Sequence, residues 1–320
     1  MWGLSYGGYS SINVAALSPP HLKAIVPLMG DVTESAFTHP GGALRLLGTN
    51  LWCCLMICMN FMPPMYTDEE GRWLKVWNYH LEHNKEWLFS LYDHPTEDAF
   101  MREGAALTRL DKIKAATYFM GGFRDLFPEG PFVLYNGITA PKKLLMGPWK
   151  HGLPDSIVPG PNIDYIGEMI RWFDYWLKGI DTGIMDEPPT TIWGQGANGK
   201  WRCEKEWPIA RRKETIFYLH PESVLESKPY EGKKESDNFT HNATVGTCRG
   251  LEDPEGLPIG LPLDQRDDEA LSLTYTTQPL PEDTEITGAP VLKLFASTSI
   301  DEGVFVAKLM TSPRTEAQPQ

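Results

Sequence analysis

The sequence is short of cysteine, of long apolar runs and of positive charge, and each shortage closes off a class of function. Of its five cysteines, Cys53, Cys54 and Cys58 lie within one helical run, Cys203 and Cys248 stand far downstream, and none forms a C-x-x-C pair. They supply neither a disulfide framework nor a zinc site and are read as small buried hydrophobes. No H-E-x-x-H pattern occurs; His80 and His83 could share a helix face, but they stand in a charged stretch and are assigned to solvent. No metal and no cofactor is therefore expected. The longest apolar stretch, Leu51 to Met62, falls short of the roughly 20 residues a helix needs to cross a bilayer, so it is read as a buried helix and no membrane partner is expected. A formal net charge of -13 without a basic patch repels phosphates, which excludes nucleic acid as a partner. No signal segment is visible, but with the natural N-terminus expected to be missing that silence decides nothing; the setting is left unknown, with the cytoplasm favoured. Asn238-Phe239-Thr240 and Asn242-Ala243-Thr244 match glycosylation sequons, which matter only in a secreted eukaryotic protein.

What the chain does have begins at its third residue. Gly3-Leu4-Ser5-Tyr6-Gly7 spells G-x-S-x-G, the pattern of a strand-to-helix turn that exposes a serine nucleophile. Two glycines around a serine also describe an ordinary loop, so the context decides. Tyr6-Gly7-Gly8-Tyr9-Ser10-Ser11 supplies small residues where a helix packs behind the nucleophile, Ile12 to Leu17 continues an apolar helix, and Pro19-Pro20 stops it. Leu22 to Gly30 then reads as a buried parallel strand. Only Met1 and Trp2 precede the turn, so either the chain is a fragment or the elbow is built without its usual strand support.

A serine nucleophile needs a base, and the base needs an orienting acid. Ala115 to Met120 reads as a buried strand running into Gly121-Gly122-Phe123-Arg124-Asp125, and Lys142 to Gly147 as the next, running into Pro148-Trp149-Lys150-His151-Gly152. Each strand ends in a loop carrying one candidate, at the sheet edge where open α/β folds gather their sites. The order Ser5, Asp125, His151 is that of α/β-hydrolases. In these roles His151 is the general base, Asp125 holds its tautomer, and the backbone N–H of Tyr6 supplies an oxyanion donor. Asp31 also ends a strand-like run and competes with Asp125. Phe123, Trp149 and Trp52 are candidates for the walls of a substrate pocket, with simple packing the competing reading for the first two.

These motifs, together with Arg171-Trp172-Phe173-Asp174-Tyr175-Trp176-Leu177-Lys178-Gly179, resemble the cocaine-esterase / Xaa-Pro dipeptidyl-peptidase-like family of serine hydrolases, in family order and over nearly the whole chain. The resemblance implies an α/β-hydrolase core, a helical cap inserted between nucleophile and acid, a C-terminal jelly roll, and substrates that are esters, acyl amides or X-Pro dipeptides. It also favours Asp125 over Asp31, because the family places its acid later than the strand after the nucleophile helix. The family's N-terminal strands, its upstream oxyanion tyrosine and the far end of its jelly roll have no counterpart here, and the chain is expected to be truncated at both ends.

The expected organisation follows. Residues 1–34 and 106–185 form the α/β-hydrolase core, the second part ending in a helix from Ile163 to Lys178. Residues 35–105, with Trp52, Trp73, Trp77 and Trp87 and no buried-strand runs, form the cap. Asp186-Glu187-Pro188-Pro189 reads as a linker. Residues 186–320 form a β domain with strands at Thr215 to Leu219, Leu271 to Thr276 and Val291 to Ala296, and a mobile loop near 222–240. The expected function is a serine hydrolase of small esters, amides or short peptides, with homo-oligomerisation left open; the competing reading is a catalytically silent binding module.

Overall fold

The computed structural model describes residues 1–31, 38–42, 44–64, 68–85, 87–196, 199–233, 235–246, 265–301 and 303–311. The chain divides into two compact units, Met1–Trp207 and Pro208–Gln320. The first is built on a six-stranded sheet whose strands lie side by side in chain order: β1 (Trp2–Leu4), β2 (Ala24–Leu28), β3 (Ala116–Gly122), β4 (Lys142–Gly147), β5 (Thr190–Gly194) and β6 (Lys200–Glu204). β1 to β5 are parallel, and β6 returns antiparallel to β5. Every residue of β2 and β3 is buried, as strands covered on both faces must be.

The alternation of side chains along a strand divides the core into two layers. Ile25 and Phe119 point to one side, with Ile12, Leu134 and Leu144; Val26, Tyr118 and Met120 point to the other, with Trp149 and Trp172. Each such burial contributes about 1.5–3 kcal/mol, which is what holds the strand ends in place for the site above them. Helix α1 (Tyr6–Ala16) joins β1 to β2, and α2 (Leu46–Phe61), α3 (Arg72–His83), α4 (Trp87–Tyr92) and α5 (Ala99–Gly104) occupy the interval before β3. α6 (Gly130–Gly137) joins β3 to β4. α7 (Tyr165–Phe173) follows β4, capped by the Asp164 carboxylate on the Gly167 N–H, and runs into a π turn at Asp174–Lys178 that ends on Gly179 in the left-handed region.

Four expectations are modified by this architecture. The elbow does have a strand: β1 is three residues long and is held by β2, with Met1 N donating to Ala24 O and Val26 N donating to Met1 O. The sheet continues beyond 186–189, so β5 and β6 lie in the first unit. Leu144 N–H donates to Pro189 O, and Glu187 meets both Lys143 and Arg171, so the segment is fastened to the sheet before β5 begins. The apolar helix α2 is not buried all round. Thr49 and Cys53 are buried, but Leu51, Leu55, Met59 and Met62 are between 41% and 60% exposed. Cys54, Cys58 and Cys203 are exposed free thiols rather than buried hydrophobes, because they fall on open sides of their elements; Cys248 lies outside the described residues.

The second unit carries a hairpin of β7 (Tyr218–His220) and β8 (Val224–Glu226), a short helix α8 (Arg266–Glu269) and a single bridge from Val224 to Thr276. The hairpin occupies the start of the segment read as a mobile loop. Its three-residue loop, Pro221 to Ser223, closes with Glu222 and Ser223 both at positive φ. Of the three expected strands, only Tyr218 and Leu219 enter a ladder and Thr276 a bridge; Val291 to Ala296 pairs with nothing among the described residues. Apolar alternation makes a strand only where a neighbour takes up its hydrogen bonds and its apolar face, and Val291 and Phe295 are 81% and 104% exposed.

Candidate active site

The nucleophile candidate sits on a strained turn. Ser5 lies between β1 and α1 with φ 62 and ψ -125, a conformation that costs a non-glycine residue roughly 1–3 kcal/mol. Its backbone N–H donates to Leu28 O at 3.0 Å, and its own carbonyl accepts from Tyr9 N–H at 3.0 Å. Two of the glycines explain how the turn closes. A Cβ on Gly3 would stand 2.5 Å from the Gly7 carbonyl carbon, and one on Gly8 would stand 2.8 Å from Leu28 O. Gly7 itself faces open space, so the last glycine of the motif is not the one the packing needs. Tyr6 opens α1, where a backbone N–H has no intrahelical acceptor and points out of the helix end.

The acid and base candidates are carried by two loops tied to each other. Phe123 N–H donates to Gly147 O at 2.9 Å and Arg124 N–H to Trp149 O at 3.0 Å, extending the β3–β4 pairing past the strand ends. A Cβ on Gly122 would meet Trp149 O at 2.2 Å, and one on Gly147 would meet the Trp149 ring at 2.4 Å; both glycines are there to admit the tryptophan. Trp149 is fully buried, with Nε1 donating to Pro161 O at 2.8 Å. It is a wedge beneath the loops and not a pocket wall, because a ring with no exposed surface has none to offer a ligand. Phe123 packs against Phe132 at the edge of the core.

On this mount Asp125 Oδ1 lies 2.5 Å from His151 Nδ1 and accepts the Leu126 N–H at 2.6 Å. The Asp125 side chain has no exposed surface and that of His151 is 15% exposed. Asp125 Oδ2 is buried with no hydrogen-bond partner among the described residues. With Nδ1 turned to the carboxylate, Nε2 is left to face a substrate or a hydroxyl. Among the described residues no hydrogen bond joins Ser5 Oγ to His151, so the structure brings the acid and base together but not the base and the serine hydroxyl. Asp31 is also buried, but its charge acts on Arg45: burial lowers the pKa of that guanidinium and the Asp31 carboxylate raises it.

Two neighbours of the site were not singled out from the sequence. Phe127, two residues past Asp125, sets its ring edge-on to His151 with centroids 5.7 Å apart; its place in the same short loop is the signal that could have found it. Met29, at the end of β2, accepts a hydrogen bond on Sδ from Gly152 N–H. Trp52, on α2, brings its ring within 6.1 Å of the Tyr6 ring, which is 64% exposed. No helix among the described residues is long and apolar enough to cross a membrane, and no group of three His, Cys, Asp or Glu among them could hold a metal ion.

Comparison with known proteins places the chain in a family. Residues 1–153 match the family described as X-Pro dipeptidyl-peptidase (S15 family), and residues 182–313 match the X-Pro dipeptidyl-peptidase C-terminal non-catalytic domain. Cocaine esterase of Rhodococcus sp. is 24% identical over 372 residues, covering 97% of this chain and 62% of that protein. A protein of Mycobacterium bovis named as a serine esterase is 29% identical over 205 residues, 61% of this chain and 32% of its own length. The chain thus spans about a third to about two thirds of the length of these relatives. Among solved structures, an α-amino acid ester hydrolase superposes with a TM-score of 0.63 at 21% identity, covering 88% of this chain and 53% of that one. A CocE/NonD family hydrolase from Staphylococcus aureus gives 0.56 at 18% identity, covering 71% and 38%. Both show an α/β-hydrolase fold.

Proposed function

Because the chain belongs to the cocaine-esterase and X-Pro dipeptidyl-peptidase family of α/β-hydrolases, we propose that it is a serine hydrolase that cleaves small esters or amides through an acyl-enzyme. The single observation that carries this reading is the 2.5 Å contact between His151 Nδ1 and a fully buried Asp125 carboxylate, on loops at the same carboxyl edge of the parallel sheet as a serine held at φ 62. A histidine so held has one nitrogen committed and one available. Its Nε2 takes the Ser5 proton as Oγ attacks the carbonyl carbon, and Asp125 stabilises the imidazolium that forms. The oxyanion of the tetrahedral intermediate is met by the Tyr6 N–H at the head of α1. The imidazolium then returns its proton to the departing alcohol or amine, leaving Ser5 acylated, and water repeats the sequence to release the acid.

The test is covalent labelling. A fluorophosphonate should modify Ser5 in the purified protein, and His151→Ala should abolish that modification. The Ser5→Ala and His151→Ala substitutions should each lower kcat on the order of a million-fold, as removal of either member of such a triad does. Modification at Ser10 or Ser11 instead would overturn the assignment.

A further inference from the structure

We infer that Met29 is a positioning residue for His151: its thioether sulfur accepts the backbone N–H of Gly152 and thereby fixes the loop that carries the imidazole. The inference rests on the reading of Ser5, His151 and Asp125 given above. The contact spans 123 residues of sequence, with Gly152 N 3.1 Å from Met29 Sδ. Met29 is 1% exposed, so no water competes for that N–H from the side of the sulfur.

The backbone of Met29 supplies a second argument. Its φ is 45, in the left-handed region, where a residue with a side chain is strained and glycine is not. A residue serving only to end β2 there would be better as glycine, and Gly30 stands immediately beside it. Retaining a long unbranched side chain at a strained position needs a gain elsewhere, and the bond to Gly152 is one. The same three residues also hold the rest of the site. Leu28 O accepts the Ser5 N–H at 3.0 Å, Met29 N–H donates to Met120 O at 2.8 Å, and a Cβ on Gly30 would stand 2.9 Å from Tyr9 N. The end of β2 is therefore a common mount: Leu28 carries the nucleophile turn, Met29 the histidine loop, and Gly30 lets α1 press against both. An imidazole has to be held to within about half an ångström for proton transfer, and a sulfur acceptor one residue away limits the sliding of that loop.

Met29 also belongs to the core layer that contains Met169 on α7, so a packing role has to be separated from a positioning one. Met29→Leu keeps most of the volume and deletes the acceptor; Met169→Leu makes the same change in the same layer, at a sulfur with no hydrogen bond among the described residues. Three readouts on the 320-residue chain decide: hydrogen exchange at the Gly152 amide, the fluorophosphonate labelling rate at Ser5, and the split between kcat and KM on an activated ester. In the unsubstituted chain the Gly152 amide should exchange slowly. Met29→Leu should speed it by roughly tenfold or more and slow labelling and kcat by about 10- to 100-fold with KM unchanged, while Met169→Leu does neither. An unprotected Gly152 amide in the unsubstituted chain overturns the inference even if the variant does not fold. So does equal exchange in both variants. If Gly152 responds as expected but Ser5 is never labelled, the loop contact stands and the hydrolase reading falls; labelled Ser5 with an indifferent Gly152 amide removes the inference alone.

Discussion

Asp125 offers one carboxylate oxygen to both His151 Nδ1, at 2.5 Å, and the Leu126 N–H, at 2.6 Å, while Asp31, the other acid at a strand end, interacts with Arg45. The two carboxylates have different partners, and substitution should tell their roles apart. Asp125→Asn keeps the shape but presents an amide that favours the wrong imidazole tautomer, so kcat should fall by about 10⁴ while the fold persists. Asp31→Asn leaves His151 its partner and should lower kcat by less than about tenfold, with a loss in thermal stability from the weakened Arg45 contact. Steady-state kinetics on one activated ester, read beside melting curves, checks both. A larger kinetic loss at Asp31 than at Asp125 would reverse their roles.

The glycines of the elbow give a prediction with opposite signs four residues apart. Gly3→Ala would drive its methyl to 2.5 Å from the Gly7 backbone and should destabilise the fold by about 1–3 kcal/mol while displacing Ser5. Gly7 lies in the helix with nothing near its Cβ position, so Gly7→Ala should be neutral or add up to about 1 kcal/mol through helix propensity. Denaturant titration measures the two stabilities, and Ser5 labelling measures whether the turn survives.

What could be read in advance divides along physical lines. Ala24–Leu28, Ala116–Gly122 and Lys142–Gly147 were legible because a strand buried on both faces is a continuous apolar run, and the acid and base candidates were legible because each follows such a run directly. β5 and β6 were not, since Thr190–Gly194 and Lys200–Glu204 each have partly polar faces that suit an outer strand or a separate β domain equally. The open side of α2 was illegible for another reason: hydropathy reports what a side chain prefers and says nothing of whether a partner is there. Met29 was hidden because its contact to Gly152 depends on a backbone angle and on two loops meeting across the sheet, neither of which has a local signature.

Acid should loosen the fastening of β4 to the segment before β5. Burial pushes the Glu187 carboxyl up, but hydrogen bonds from Lys143 and Arg171 outweigh it and hold its pKa below the usual value of 4.5. A carboxylate depressed in the folded state contributes stability that is present above that ordinary value and is lost as pH falls through the lower, folded one. The Lys143 side chain is 4% exposed, and with Glu187 neutral its charge would be met by no anion, only by the dipole of the Ile184 carbonyl and the face of the Tyr118 ring, among the described residues. Glu187→Gln should therefore cost about 1–2 kcal/mol at neutral pH, discounted for the 40% exposure of the carboxylate. The difference between the two proteins should shrink as pH drops below 4.5. Denaturant midpoints measured from pH 7 to pH 3 check this; a gap that stays constant would mean that Glu187 acts through packing and not through its charge.

Trp52, on α2, brings its ring to the turn that carries Ser5, 6.1 Å from the Tyr6 ring and tilted 50° to it. Tyr6 follows Ser5 directly and is largely exposed, so the two rings form an apolar corner beside the point where an acyl group would attach. An aromatic acyl group covering that corner would gain about 1.5–3 kcal/mol of burial that an acetyl group cannot. Removing the indole should take that gain away from one substrate only. Trp52→Ala is expected to lower kcat/KM for an aryl benzoate about 10- to 100-fold relative to the matching acetate, by the usual tenfold per 1.4 kcal/mol, while Ser5 labelling by a small fluorophosphonate persists. Parallel kinetics on the two esters checks it. An equal loss on both would assign Trp52 to holding α2 over the turn, and a loss confined to acetate would exclude an apolar acyl site at this corner.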